Sequence, residues 1–136
     1  MNDAKQWLSR GRGLRREKEQ LERMREEVYT RLTKTTPTAG DGSTATKDPH
    51  KMDELVALDE AIALRVRELD AIRLEIFTAI QQLTDRRYRM VLLGRYYECL
   101  EWGDLATLLH YEQRQLYRLH GCALTAIQPI IDRRQE

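Results

Sequence analysis

From Glu112 to Arg118 the chain offers five side chains rich in hydrogen-bonding groups, Glu112, Gln113, Arg114, Tyr117 and Arg118, spaced to share one face of a helix. Amide and guanidinium groups placed this way reach base edges in a major groove and the phosphates beside it. Glu112 is the exception, because a carboxylate near phosphates is repelled. A reading face needs a platform, and the surrounding stretch WGDLATLLHYEQRQLYRLHGCAL supplies one. Two short helices crossing steeply would bury Leu105, Leu109, Tyr111, Leu116 and Leu119 between them, and Ala106 is small enough to let the second helix approach the first. The competing interpretation is a small helical hairpin whose polar residues are merely solvated.

Upstream, Thr84 is a natural cap for a helix from Asp85 to about Tyr97, whose buried face would be Tyr88, Val91, Leu92 and Tyr96. Arg86, Arg87, Arg89 and Arg95 are then left for solvent or phosphate, as on the supporting helices of nucleic-acid readers. Downstream, the helix should extend through Ala126 and Ile127 until Pro129 interrupts it, with Ile130 and Ile131 packing back on the domain.

The segment LTDRRYRMVLLGRYYECLEWGDLATLLHYEQRQLYRLHGCALTAI resembles region 4 of bacterial sigma factors, covering about the last third of the chain. With a long helical N-terminal part, the chain is similar to the sigma-like late-gene transcription activators of bacteriophages, the RinA and ArpU type. The resemblance implies promoter-DNA binding through Gln113, Arg114, Tyr117 and Arg118, with RNA polymerase as a further partner. Three features depart from the pattern: Glu101 and Glu112 stand where Ser or Thr is usual, His110 takes a turn position often given to Gly, and Gly121 with Cys122 replaces a basic pair.

The elements that would carry this domain are long. From a cap at Asn2 or Asp3 a proline-free helix should run to about Lys34, with Ala4, Trp7, Leu14, Leu21, Met24, Val28 and Leu32 as its apolar seam. Gly11, Gly13 and Lys18 interrupt that seam, so the first turns should fray or form a separate piece. Leu55, Ile62, Leu69, Ile76 and Leu83 recur every seven residues in a second helix starting near Lys51, capped by Asp48 or His50. The expected fold is all-α: a long antiparallel helical hairpin, or coiled coil, followed by a three-helix sigma region 4-like helix-turn-helix domain. Its parts are residues 1–34, helix one; 35–50, a flexible linker rich in Thr, Gly and Pro; 51–83, helix two; and 84–136, the DNA-binding domain. A coiled-coil homodimer between chains is the alternative way to cover the seam.

Formal net charge is only +1, but residues 1–36 hold ten basic against six acidic side chains and residues 51–83 hold four against seven. Local charge, not the total, decides whether DNA is attracted. Two cysteines, Cys99 and Cys122, and no apolar run long enough to span a bilayer lead to the expectation of free thiols, a cytoplasmic setting and no membrane partner. The spacing of Cys99, His110, His120 and Cys122 matches no metal motif, so no metal or other cofactor is expected, and both histidines are expected on the surface. No phosphate loop or nucleophile constellation is recognisable, which argues against an enzyme. Double-stranded DNA is the expected partner. The alternative is an interaction protein, occupying RNA polymerase or assembling phage packaging components in the manner of a small terminase.

Overall fold

The computed structural model describes residues 3–33 and 49–135, and all its elements are helical, with no strand among them. They are α1 (Ala4–Leu8), α2 (Arg10–Thr33), α3 (Pro49–Gln81), α4 (Arg86–Leu92), a π-helical turn (Leu93–Tyr97), α5 (Trp102–Leu109) and α6 (Gln113–Arg134). The chain divides into two compact units, Met1–Gly13 with Leu69–Glu136, and Leu14–Glu68. That division runs through α2 and α3, so it does not coincide with the boundaries expected at residues 34, 50 and 83. Most of the proposed linker lies outside the described residues. Its last two residues do not: α3 already begins at Pro49, where the missing N–H of proline costs the helix nothing.

In the first unit the short α1 is fixed by Asp3, whose side chain accepts from the Gln6 N–H at 2.8 Å. Trp7 was expected in the seam of a coiled coil, but it lies with Ala4 and Leu8 in a core completed by Ile76, Ile80, Leu83, Leu92, Tyr96, Ile127 and Ile131. The physical reason is the break at Ser9, which ends α1 after five residues. Trp7 can then follow α1 into this core, where its large apolar area is covered on all sides. The Gln128 side chain adds to the fit by accepting from the Ala4 N–H at 2.7 Å.

Pro129 does not stop α6, contrary to expectation; the helix continues to Arg134 with Pro129 exposed inside it. A proline in a helix interior costs about 3 kcal/mol. Burying Ile127, Ile130 and Ile131 on the opposite side offsets this, at roughly 1.5–3 kcal/mol each. α4 also differs from its expected form. Its cap is Asp85 rather than Thr84, and it ends at Leu92, where the backbone widens into the π-helical turn. Gly94 in that turn is in tight contact with α5: a Cβ there would stand 2.3 Å from Leu105 Cδ1. Only glycine fits without displacing a fully buried leucine.

In the second unit, α2 and α3 bury Val28, Leu32 and Leu58, with Leu21 and Leu55 packed against them. Arg25 pairs with Asp59, and Arg65 pairs with Glu17 at 2.7 Å and with Glu68. The later residue of α2 thus meets the earlier residue of α3. These pairs are largely exposed, so solvent screening keeps their contribution small. Met24, expected in the seam, is 43% exposed.

Candidate nucleic-acid interface

α5 and α6 are joined through His110–Glu112, and the joint is shaped by a left-handed residue. His110 sits at φ 62°, ψ 41°, its N–H bonded to Thr107 O at 3.3 Å, and the Tyr111 N–H reaches back to Ala106 O at 3.0 Å. This closes α5 in the way a glycine usually does. The two helices enclose a second core of Val91, Leu105, Ala106 and Leu116, with Leu109, Tyr111 and Leu119 half-buried at its edge. All six positions expected between the helices are therefore in contact with that core or within it.

The opposite side of α6 is open. Gln113, Arg114, Tyr117 and Arg118 are all exposed, as is Glu112 at the cap. Arg114 and Arg118 make no hydrogen bond or ion pair among the described residues. Tyr117 rests edge-on against Trp102, with ring centroids 5.2 Å apart, which steadies its ring without covering it. The Gln115 side chain is used locally, accepting from the Glu112 N–H at 3.4 Å.

The four arginines of the preceding segment separate into two pairs. Arg86 and Arg87 are exposed. Arg87 is held by Asp85 through bonds of 2.9 and 3.3 Å, and this pairing lowers the Asp85 pKa and raises that of Arg87. Arg89 and Arg95 turn inward. Arg89 donates to Leu83 O at 2.7 Å, satisfying a carbonyl after the end of α3, and Arg95 lies 4.3 Å over the Trp102 ring while donating to Leu100 O at 3.0 Å. Neither stands free for solvent or phosphate, contrary to expectation, because each donates to a backbone carbonyl within reach.

His120 is not the surface histidine that was expected. It is 9% exposed, stacked on Tyr96 and met edge-on by Trp102 at 4.7 Å. Its Nε2 lies 2.6 Å from Tyr96 Oη. Burial pushes the Tyr96 pKa up to about 12 and that of His120 down to about 4, the latter helped by the charges of Lys5 and Arg95. Tyr96 is therefore the donor and a neutral imidazole the acceptor. The spacing Leu116, His120, Ala123, Ile127 is a helical stripe that would have revealed this burial from sequence.

Cys99 is half-buried and Cys122 exposed, both as free thiols. No cluster of three or more His, Cys, Asp or Glu side chains suited to a metal occurs among the described residues, and none of the described helices is long and apolar enough to cross a membrane. No family model, curated protein or solved structure matches the chain.

Proposed function

We propose that this protein is a sequence-specific DNA-binding transcriptional regulator, a phage late-gene activator acting at promoters with RNA polymerase in the cytoplasm of a bacterial host. In this reading α5 and α6 form the helix-turn-helix of a sigma region 4-like domain, and α2 with α3 forms an antiparallel hairpin. The observation that carries it is the outward face of α6, where Gln113 and Arg114 stand exposed on a helix whose other side is anchored by Leu116. Gln113 and Arg114 read bases, Tyr117 and Arg118 contact bases or phosphate, and Arg86 and Arg87 grip phosphate. Arg89 leaves the set, since it is committed to Leu83 O.

Two substitutions test the assignment on duplexes recovered by in vitro selection. Arg114→Ala relaxes sequence preference, at about 1–3 kcal/mol for a bidentate base contact. Arg87→Ala weakens binding to every duplex and flattens the salt dependence. Equal loss on all sequences from both variants removes the base-reading role from Arg114.

A second reading is an interaction protein without promoter specificity, binding RNA polymerase or serving in packaging in the manner of a small terminase. The exposed carboxylate of Glu112 at the start of α6 and the net charge of +1 favour it. Absence of any DNA retardation at low salt decides for this reading.

A further inference from the structure

Beside the outward face of α6 lies a cleft of about 350 Å³, to which α4 contributes Arg87 and Tyr88, α6 contributes Gln115, Arg118 and Cys122, and the joint contributes Tyr111. Its polar lining is dominated by donors, and no carboxylate is among the lining residues. The Arg87 guanidinium is already oriented, with Nε and Nη2 on Asp85, yet its side chain is 59% exposed and Nη1 has no partner among the described residues. Arg118 faces the same cleft from the second helix and makes no hydrogen bond or ion pair of its own. Arg118, which has no carboxylate partner, and Arg87, whose Nη1 the Asp85 pairing leaves open, both line the cleft, so it offers guanidinium donors to an anionic occupant.

Neighbours in sequence diverge here. Tyr117 turns to Trp102, whereas Arg118 lines the cleft with Arg87. Gln113 and Arg114, one turn earlier, are not part of its lining. The side chains of this face therefore serve different parts of a duplex, and the pairing of Arg118 with Arg87 suits the tetrahedral oxygens of a phosphodiester better than the flat edge of a base.

We infer that this cleft seats a backbone phosphate of the bound duplex between Arg118 and Arg87, so that Arg118 positions the DNA and does not read it; this rests on the DNA-binding reading above. The test uses the full chain, a selected duplex and a scrambled one, each titrated over a salt series. Arg118→Gln weakens both duplexes several-fold by the same factor, and the double variant Arg87→Gln, Arg118→Gln lowers the slope of log K against log salt by about 0.9, the value of one phosphate. Both positions are exposed, and a circular dichroism melt matching the wild type shows that the variants fold. An Arg118→Gln effect confined to the selected duplex overturns the inference while leaving DNA binding intact. Failure of the wild type to bind any duplex overturns both. A second readout is the alkylation rate of Cys122 by a charged thiol reagent, followed by peptide mass. Bound duplex slows it, and an unchanged rate in the complex overturns the placement of phosphate in this cleft.

Discussion

Replacing His120 with glutamine keeps a side chain that can accept the Tyr96 hydroxyl but removes the titration. In the wild type, His120 has an ordinary value of 6.5 in the unfolded chain and about 4 when folded, because burial disfavours the imidazolium. Between those two values the unfolded state binds a proton that the folded state refuses. Stability therefore rises with pH at about 1.4 kcal/mol per unit across this window. The contribution is fully present above 6.5 and is lost as pH falls toward 4, a total of about 3 kcal/mol. Urea unfolding at several pH values measures it, and tryptophan fluorescence is the suitable probe because Trp7 and Trp102 both belong to the unit that holds His120. Other acidic groups titrate in the same range, so the quantity of interest is the difference between wild type and His120→Gln. That difference is flat above pH 7 and moves against the wild type by about 3 kcal/mol down to pH 4. Parallel stability curves for the two proteins would refute the claim that His120 is folded in its neutral form.

Two further substitutions probe the backbone of the same region. Gly94→Ala places a methyl group 2.3 Å from Leu105 Cδ1 and is expected to destabilise by about 1–3 kcal/mol in thermal or urea unfolding; a change below about 0.5 kcal/mol means that Leu105 yields freely. His110→Gly relieves a left-handed residue and is expected to stabilise by about 1 kcal/mol, visible as a raised Tm. A lowered Tm assigns the imidazole a contact that its exposed position does not suggest.

The helical period made the α5 and α6 pair legible, because Leu105, Leu109, Leu116 and Leu119 recur where two crossing helices must meet. The same rule failed at Trp7. A seven-residue spacing from Leu14 placed it in a seam, yet the spacing carries no information about the turn at Ser9 that redirects α1. Helix-breaking rules also failed at Pro129, since they consider the lost N–H and not the three isoleucines whose burial outweighs it. The π-helical turn had no signal beyond Gly94, where the missing Cβ leaves room for the buried Leu105 of α5. On the candidate face, the exposure of Gln113, Arg114, Tyr117 and Arg118 follows from their spacing. The inward commitment of Arg89 and Arg95 does not, because an arginine on a helix finds a distant carbonyl only once the chain has folded.

The attachment of α1 to α6 bears on how the protein can be dissected. Residues 84–136 look like a detachable module, but Ile127, Ile130 and Ile131 share their core with Trp7 and Leu8 from one direction and Ile76 and Ile80 from another. An excised fragment would expose a broad greasy surface and tend to clump or melt. A minimal folded piece must retain the opening helix, whose Ala4 amide is held by the Gln128 side chain, and the end of α3.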